Sequence, residues 1–577
     1  MTVSRPTIDS ITLEVLWNRL IAVVNEQAAA LMRTSFTTVV RESGDLSAGV
    51  FDRRGNMIAQ AVTGTPGHIN SMATCIHHFL AVYPRETLRP GDVLITNDPH
   101  KTSGQLHDFT VITPVFAANE RLVAFFGSTC HAIDIGGRGL GADARSLYEE
   151  GLFVPITKWR DEGRPNAELV KILRANVREP EQVLGDIHAQ EAGNEVGGAR
   201  LLEFLAEFGL PDIEDLADEI IERSERAMRA AIAAVPDGVY TNSAYCDGFD
   251  APLKLQVTIT KRGDSIHADW AGTDPESPRG INVVLNYTHA YVTYALKCAL
   301  CPEVPNNEGS FRPVTVTAPP GSLLNAVPPA PVAGRHVIGH FLPGIVFGAL
   351  AEVLPGRVLA EGAANIWATQ ITGRRPEGGA PWTYVWFSCG GTGARPTSDG
   401  LHTTAFPSGV MGVHVETIET QAPVIVHRRE ISRDSGGAGR FRGGSGQEME
   451  VSCTTGLPWT IGPIFDRTRV PAQGYSGGGP GGRGAIRITG PNGASRELAD
   501  KSQVLLGAAE HFTLQLPGGG GFFSPLERDP ATVLDDLLDE LITLDAARDH
   551  YGVVIDPATM RVDEAATEAL RSEKGRD

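Results

Sequence analysis

Residues 92–137 read DVLITNDPHKTSGQLHDFTVITPVFAANERLVAFFGSTCHAIDIGG. This stretch contains two short apolar runs, residues 110–112 and residues 122–126, which are rich in branched and aromatic side chains and are bounded by turn-forming residues. Such runs are typical of buried β-strands. We therefore predict two buried strands, and an antiparallel pairing would place the start of the first beside the end of the second.

Polar side chains flank these two predicted strands. His107 and Asp108 stand just before the first strand, and His131 stands just after the second. Imidazole and carboxylate groups at one sheet edge are the ligands that a divalent metal ion prefers. The alternative is structural, because most histidines only satisfy core hydrogen bonds or lie in solvent. The chain has sixteen of them and no compact signature such as H-E-x-x-H.

Asp45 is a third candidate ligand from the N-terminal part of the chain. Asp9 or Ser10 is expected to cap a long packing helix. Gly44 then breaks the helical pattern, and residues 46–51 read as a strand. Asp45 lies at this junction, where an aspartate beside a glycine is alternatively a simple turn residue.

Several motifs of the chain together resemble the hydantoinase B / oxoprolinase family. The N-terminal signature comprises Asn97-Asp98-Pro99, Gly104, residues 108–111, His131 and residues 134–137. Further matching segments, in the family's order, are residues 41–42, 45–47, 51–52, 307–310, 312–313, 435–446, 517–521 and 525–526. The resemblance therefore covers nearly the whole chain, although it does not specify a substrate.

The resemblance implies a function in a complex. Proteins of this family are similar to one subunit of ATP-dependent cyclic-amide hydrolases and to related subunits of acetone and acetophenone carboxylases. It implies a hetero-oligomer in which a hydantoinase A-like partner binds ATP and Mg²⁺ and phosphorylates a small-molecule substrate. The present chain would then complete the reaction on the activated intermediate.

The family pattern also implies a metal site, from which this chain departs at one position. The expected ligands of a Mn²⁺ or Zn²⁺ ion are Asp45, His107, Asp108 and His131, of which Asp45, Asp108 and His131 are the expected catalytic residues. The family usually has histidine three residues before the aspartate, where this chain has Gln105. Either His107 replaces that imidazole, or Asp45, Asp108 and His131 alone bind the ion weakly. Adjacent strand residues point to opposite faces, so His107 and Asp108 chelate together only if the strand begins irregularly, for which Gly104 is suited.

Composition excludes several other classes of protein. A net charge of −19 without a basic stripe argues against a nucleic-acid partner. The sequence has no apolar run long enough to span a bilayer and no signal segment, so we expect no membrane association and a cytoplasmic location. Seven scattered cysteines fit reduced thiols, and the pair Cys298 and Cys301 reads as buried structural thiols in a helix.

The length of 577 residues predicts several domains of an α+β, multi-domain mixed fold. We expect an N-terminal α/β region, residues 1–235, that carries the metal edge and contains helices over residues 180–208 and 213–234. A central β-rich and helical domain, residues 236–374, would follow, with strands at 253–260 and 265–270 and a helix at 345–354. The C-terminal half would be β-rich and glycine-rich, with residues 375–577 ending in a helix that runs to about residue 541. None of its glycine clusters is a P-loop or a dinucleotide-binding loop, and we expect these glycines to allow positive φ and close backbone approach.

Three functions remain open at the level of sequence. The first is a metal-dependent subunit of a hydantoinase, oxoprolinase or lactamase, and the second is the equivalent subunit of a ketone carboxylase. The Gln105 departure favours such a divergent branch. The third is a scaffold without catalytic activity. A single neighbouring gene for an ATPase subunit would favour the hydrolase, and additional small subunits would favour the carboxylase.

Overall fold

The computed structural model describes residues 8–364, 366–376, 379–498 and 501–575. Its contacts divide the chain into two compact units. The first comprises the described residues of Met1–Thr241, Val257–Arg335 and Ser408–Met411, and the second those of Asn242–Gln256, His336–Pro407 and Gly412–Asp577. Helices and several separate sheets occur together, which confirms the predicted α+β class.

The elements of the first unit lie largely before residue 318. Its described helices are α1 (Ser10–Thr34), α2 (Thr38–Arg41), α3 (Pro66–Val82), α4 (Leu147–Glu150), α5 (Ala167–Asn176), α6 (Pro180–Glu207), α7 (Glu214–Ala233), α8 (Leu285–Leu300) and α9 (Glu308–Phe311). Its described strands are β1 (Leu46–Phe51), β2 (Met57–Gln60), β3 (Val93–Thr96), β4 (Asp108–Phe116), β5 (Leu122–His131), β6 (Thr157–Asp161), β7 (Arg164–Pro165), β8 (Gly238–Cys246), β9 (Leu253–Arg262), β10 (Ser265–Asp269) and β11 (Val314–Thr317). The division between the units falls within β8 and β9.

A seven-stranded sheet positions the candidate site. Its order is β2-β1-β5-β4-β3-β6-β7, and every neighbouring pair is antiparallel. The predicted pairing of the two central strands is therefore confirmed. A second sheet, which contains β10, is mixed, because β10 pairs antiparallel with β9 and parallel with β11.

Both faces of the seven-stranded sheet are covered. Phe126 belongs to a core that includes residues of α1 and α6, whereas its neighbour Phe125 belongs to a second core with residues of α3. Successive strand residues point to opposite faces, so a strand buried on both sides has a continuous apolar sequence rather than an alternating one. This explains why residues 122–126 read as one apolar run.

Helix boundaries in the first unit follow the predicted signals. Asp9 caps α1, since its carboxylate accepts hydrogen bonds from the backbone N–H groups of Ile11 and Thr12, each at 3.1 Å. Helices α6 and α7 begin and end within one residue of the predicted limits. Both thiols of the CxxC pair are free, but Cys298 in the last turn of α8 is partly exposed, and Cys301, which follows the helix, is buried. The predicted burial is therefore confirmed for Cys301 and wrong for Cys298.

The second unit is built from smaller sheets. Its described helices are α10 (His336–Gly339), α11 (Leu342–Leu350), α12 (Val415–Gln421), α13 (Pro530–Leu538), α14 (Leu544–Asp549) and α15 (Glu564–Lys574). Its described strands are β12 (Trp367–Arg374), β13 (Pro381–Ser388), β14 (Val424–Ile431), β15 (Gln447–Cys453), β16 (Trp459–Ile464), β17 (Ala485–Thr489), β18 (Ser495–Glu497), β19 (Val504–Leu506), β20 (His511–Gln515), β21 (Ile555–Asp556) and β22 (Arg561–Val562). Sheets of order β13-β12-β16-β19 and β14-β15-β20-β17-β18 share one apolar core, while β21 and β22 form a hairpin.

The predicted limits of two helices and one expectation about glycine need correction. Helix α11 begins at Leu342 and ends at Leu350, because a proline in its first turn starts it earlier than the predicted residue 345. Helix α13 ends at Leu538 rather than near residue 541. The glycines at 518–521 have no positive φ angles, so that part of the expectation is wrong for this cluster. They instead allow other backbone segments to pack at distances that a Cβ atom would block.

The predicted three-domain division stays a prediction. Its first boundary, at residues 235 and 236, lies close to the break after Thr241. Its second boundary, at residues 374 and 375, falls between the paired strands β12 and β13. No helix in the described ranges combines the length and the apolar character that crossing a membrane requires.

Candidate active site at the edge of the seven-stranded sheet

The pairing of β4 with β5 brings the predicted site residues together. Asp108, the first residue of β4, lies directly opposite His131, the last residue of β5. Asp45 precedes β1, which pairs with the other side of β5, and its backbone carbonyl accepts a hydrogen bond from His131 N at 3.3 Å. The structure therefore brings Asp45, Asp108 and His131 together at one sheet edge, as the strand pattern predicted.

The Asp108 carboxylate is the centre of a buried network. Oδ1 accepts a hydrogen bond from Gln105 Nε2 at 2.8 Å and lies 3.0 Å from His131 Nδ1. Oδ2 accepts from Ser103 Oγ at 2.7 Å and pairs with Arg335 Nη2 at 2.5 Å. Burial acts to raise the pKa of Asp108, but the opposing effects of Arg335 and the neighbouring histidines hold this pKa well below its usual value. The carboxylate is therefore ionised at neutral pH.

Arg335 supplies the fixed positive charge of this network. It is 3% exposed, its Nε donates to the carbonyl of Ser103, and its guanidinium stacks over the ring of Tyr287 at 4.3 Å from the centroid. Its role was not predicted from sequence, since it lies 227 residues from Asp108. The arrival of Arg335 at the site depends on tertiary packing that no local pattern encodes.

Glu150 holds the segment that carries Arg335. Its Oε1 accepts hydrogen bonds from the backbone N–H groups of Val332 at 2.6 Å and Ala333 at 2.7 Å. Burial raises the pKa of this carboxyl to about 8. Glu150 is therefore a neutral acid at pH 7 and fixes the backbone just before Arg335.

His68 is a second site residue that sequence reasoning missed. It lies in the first turn of α3, is 1% exposed, and places Nε2 at 2.9 Å from Asp108 Oδ2. Its Nδ1 lies 3.7 Å from Asp45 Oδ1, and Thr65 Oγ1 donates to the same Asp45 oxygen at 3.0 Å. The only sequence signal was Pro66, because a proline is common in the first turn of a helix and so indicates that a helix begins here.

His107 reaches the same region but does not contact the Asp108 carboxylate in the way expected. Its ring stacks on that of His131, with 5.5 Å between centroids and 12° between planes. Among the described residues neither of its ring nitrogens has a hydrogen-bond partner. Burial and the neighbouring His131 hold the pKa of His107 well below its usual value, so the imidazole is neutral.

The entry to β4 is irregular, as predicted. Gly104 has a φ of +91°, and a Cβ there would approach Arg335 Cδ to 2.8 Å. A side chain at this position would therefore strain the backbone and displace the guanidinium. The turn lets Ser103, Gln105 and Asp108 converge within six residues.

The motif Asp134-Ile135-Gly136-Gly137 has a structural role in this arrangement. Asp134 is buried, accepts from Gly136 N at 3.1 Å and pairs with Arg178 Nη1 at 2.5 Å. Arg178 also donates to the carbonyl of Gly137. These contacts fix the loop after β5 against the start of α6.

The donor chemistry of the site fits a divalent ion, although its side chains are hydrogen-bonded to one another. Within the described ranges, no three His, Cys, Asp or Glu side chains are grouped so as to hold a metal ion. The site nevertheless offers two carboxylates and several imidazoles, the donor types that Mn²⁺ and Zn²⁺ prefer. His68 Nδ1 is buried and has no hydrogen-bond partner among the residues that the structure describes, which is costly unless another group satisfies it.

Known proteins are similar to this chain in sequence and in fold. The family described as Hydantoinase B/oxoprolinase matches residues 9–525. A relative named "Caprolactamase subunit beta", from Pseudomonas jessenii, is 31% identical over 588 residues, which cover 98% of this chain and 99% of that protein.

Two solved structures are similar over almost their whole length. The crystal structure of an ATP-dependent caprolactamase from Pseudomonas jessenii matches with a TM-score of 0.90 and 29% identity, covering 98% of this chain and all of that one (100%). The nucleotide-free structure of an acetone carboxylase matches with a TM-score of 0.89 and 20% identity, covering 99% of this chain and 83% of that one, which shows a shared fold alone. The chain therefore belongs to the Hydantoinase B/oxoprolinase family.

Proposed function

We propose that this chain is the metal-binding catalytic subunit of an ATP-dependent cyclic-amide hydrolase of the hydantoinase, oxoprolinase or lactamase type. The observation that carries the proposal is the convergence of Asp45, His68, Asp108 and His131 at one buried sheet edge, in a chain of this family. A hydantoinase A-like partner would bind ATP and Mg²⁺. The relative named as the beta subunit of a caprolactamase supports a role in such an assembly.

A division of labour follows from the chemistry of cyclic amides. The amide carbon is a weak electrophile, so the partner first transfers the γ-phosphoryl group of ATP to the amide oxygen. Water would then attack the activated carbon at the present site, the ring C–N bond would break as the nitrogen takes up a proton, and a second water would hydrolyse the resulting acyl phosphate to carboxylate and phosphate. A divalent ion held by Asp45, Asp108, His131 and a further imidazole would act as a Lewis acid in this site.

The protein's own groups have roles that their geometry supports. Asp108 is ionised and can only accept hydrogen bonds. His131 Nδ1 therefore carries a proton and donates it in a hydrogen bond to Asp108 Oδ1. This contact fixes the tautomer and orientation of the His131 ring, as a carboxylate does for an imidazole that binds a metal ion through its other nitrogen. Asp45 completes the polar edge, and Arg335 keeps Asp108 charged. The nearly complete burial of these groups excludes bulk water from a reactive intermediate.

A second candidate is the equivalent subunit of a ketone carboxylase. It is favoured by the fold shared with acetone carboxylase and by Gln105, which departs from the family's usual histidine. In that reaction the partner would activate a carboxylate and the present site would form a C–C bond. A scaffold without catalytic activity is the remaining alternative.

The test is reconstitution with a hydantoinase A-like ATPase subunit. The complex should open hydantoin, 5-oxoproline or a larger lactam only with ATP present, whereas the chain alone should neither turn over these substrates nor bind Mg-ATP by calorimetry. ATP-dependent consumption of acetone and bicarbonate, with no ring opening, would support the carboxylase instead. If the complex turns over neither class of substrate in the presence of ATP, the result would favour a scaffold without catalytic activity.

A further inference from the structure

We propose that a pocket beside Asp98 and Phe153 binds a large apolar substituent of the substrate, so that the preferred cyclic amides carry an alkyl or aryl side chain. The proposal rests on the proposed function for the reaction but makes a separate claim about which substrates bind. The pocket lies in the first unit and has a volume of about 690 Å³. Pockets of this size hold drug-sized ligands, and the ring of a hydantoin alone would fill only part of it.

The pocket is built on loops that leave the seven-stranded sheet at the end where Asp108 lies. Asp98 and His100 belong to the loop between β3 and Asp108, the first residue of β4. Ile135 belongs to the loop that follows His131, the last residue of β5. Strands β3, β4 and β5 are antiparallel neighbours, so both loops leave the same end of the sheet. The pocket and the candidate active site therefore share that end.

The chain between the pocket and the candidate active site is short. His100 lies three residues before Ser103, whose Oγ donates to Asp108 Oδ2 at 2.7 Å. Three residues of extended chain span at most about 11 Å. The Cα atoms of His100 and Ser103 are therefore no farther apart than this, a distance that a cyclic amide with a long substituent can bridge.

One short segment supplies most of the apolar wall of the pocket. Leu147, Tyr148, Leu152 and Phe153 all line it. Tyr148 is 85% exposed and Phe153 is 43% exposed, so both present apolar surface that the described residues do not cover. An apolar group of a ligand would remove this surface from water, which is the favourable contribution in hydrophobic binding.

This segment is held in place by both loops. Leu152 N donates to the carbonyl of Ile135 at 2.9 Å, and Asn97 Nδ2 donates to the carbonyl of Leu152 at 2.9 Å. A Cβ at Gly151 would lie 2.6 Å from the Ile135 carbonyl oxygen, so a glycine is needed for this close approach. The wall is therefore formed before a ligand binds, and little ordering of the protein opposes binding.

The charges at the pocket are already compensated. Asp98 Oδ1 accepts a hydrogen bond from the backbone N–H of His100 at 3.0 Å, and Asp98 Oδ2 lies 3.2 Å from Lys101 Nζ. Burial lowers the pKa of His100 despite the opposing effect of Asp98, so this imidazole is neutral at pH 7. These groups offer no net charge to an ionic ligand, and the pocket favours a neutral apolar group over a carboxylate or a phosphate.

Binding of two ligands to the full-length chain tests the proposal. Hydantoin and 5-benzylhydantoin differ only in the apolar substituent, and calorimetry gives the affinity of each without ATP or a partner subunit. The benzyl compound should bind at least about 10-fold more tightly, since even one methylene in an apolar pocket can contribute that much.

Variants of two phenylalanines locate the substituent. Phe153→Ala should remove most of the preference for 5-benzylhydantoin, because it deletes an aromatic ring from the wall. Phe208→Ala is the matched control and should keep the preference, since Phe208 is 38% exposed at the end of α6 and does not line the pocket. If Phe153→Ala does not fold, Tyr148→Ala, whose side chain is largely exposed, replaces it.

Other results would overturn the proposal. Equal affinities of the wild-type chain for the two ligands, or a preference that survives Phe153→Ala, would show that the pocket does not hold the substituent. Weaker assembly of Phe153→Ala with the ATPase subunit, with an unchanged ligand preference, would assign these aromatic side chains to a subunit contact instead.

Failure of this proposal and failure of the proposed function give different results. Ring opening of hydantoin by the complex, without tighter binding of 5-benzylhydantoin, would support the hydrolase and contradict the pocket. Tighter binding of 5-benzylhydantoin that depends on Phe153, without ring opening by the complex, would support the pocket and contradict the hydrolase.

Discussion

At the scale of single residues, Asp108 governs the site. A buried carboxylate is costly unless it is paired and hydrogen-bonded, and Asp108 is satisfied by Arg335, Ser103, Gln105, His68 and His131. These five contacts with the Asp108 carboxylate fix the orientation of each partner side chain. The imidazole of His131 lies opposite Asp108 in the sheet register, and the proposed function gives it the role of a metal ligand.

We predict that His131→Ala removes metal from the protein while leaving it folded. Wild-type chain in its complex should contain about one Mn²⁺ or Zn²⁺ per chain, since imidazole and carboxylate ligands suit these ions. His131→Ala deletes an imidazole that no neighbour replaces, and its metal content and turnover should both fall by at least about 10-fold. Elemental analysis beside a circular dichroism spectrum is the measurement.

His188→Ala is the control for this experiment, because that histidine is half exposed on α6 and pairs with Glu191 instead. It should keep the full metal content. Equal metal in wild type and His131→Ala would show that the ion, if any, binds elsewhere.

The site residues that could be predicted from sequence are those brought together by the pairing of strands that follow each other in the chain. Asp108 and His131 belong to two successive strands, so strand periodicity alone placed them opposite each other. His68 and Arg335 come from α3 and from the segment after residue 330, and only packing of distant elements brings them to Asp108. His107 stacks on His131, and its predicted role as a metal ligand stays a prediction.

At the scale of elements, the short helix α4 is a support for the site. Its last residue, Glu150, accepts two backbone hydrogen bonds from the segment that leads to Arg335. Its other oxygen, Oε2, is buried without a hydrogen-bond partner among the described atoms. The helix therefore depends on a carboxyl group that stays protonated.

We predict that Glu150→Gln stabilises the protein at neutral pH. Burial raises the pKa of Glu150 from an ordinary value of 4.5 to about 8, so the native state keeps a proton that the unfolded chain releases. Wild type therefore loses stability as pH rises from 4.5 to 8. Glutamine copies the neutral acid, and the gain at pH 7 should be on the order of 1–3 kcal/mol.

Thermal unfolding at pH 4 and pH 7.5 measures this effect. The melting temperatures of Glu150→Gln and wild type should agree at the lower pH and separate at the higher one. The partly exposed neighbour, Glu149→Gln, serves as the control and should not reproduce the pH-dependent difference. Parallel curves for wild type and Glu150→Gln would show that the carboxyl is ionised in the native protein.

The glycine-rich segments of the second unit form another kind of element. Gly519 donates from N to the carbonyl of Gly444 at 2.9 Å, and its own carbonyl accepts from Gly437 N at 2.8 Å. A Cβ on Gly519 would lie 2.0 Å from the backbone oxygen of Thr392. Sequence composition predicted close backbone approach here, but it did not reveal that separate segments hydrogen-bond to one another through their glycines.

We predict that Gly519→Ala destabilises the second unit by about 3 kcal/mol or more, because the overlap is with backbone and cannot be relieved by a rotamer change. Loss of soluble protein or a large fall in melting temperature is the expected result. Gly507→Ala is the matched control, since its Cβ would meet only the Glu510 side chain at 3.7 Å. Similar melting temperatures for the two variants would mean that the backbone segments around Gly519 can shift to accommodate a methyl group.

At the scale of the whole molecule, the fold was predicted in class but not in detail. Periodicity identified the long helices and the central strands, whose apolar faces are set by local sequence. The orders of the sheets in the second unit were not predictable, because their strands pair across long separations in sequence, as β12 does with β16. Nor does the fold choose the reaction, since a caprolactamase and an acetone carboxylase both share it.

The central claim is that the Asp108 edge acts after ATP has been used by the partner. The most direct test is the ratio of ADP to ring-opened product in the reconstituted complex, compared between wild type and Asp108→Asn. The account predicts matched ADP and product for wild type. For Asp108→Asn, in a complex shown to assemble, it predicts a burst of ADP with product reduced at least about 100-fold, because activation continues while the following step fails. Wild-type rates of product formation by Asp108→Asn would contradict the account.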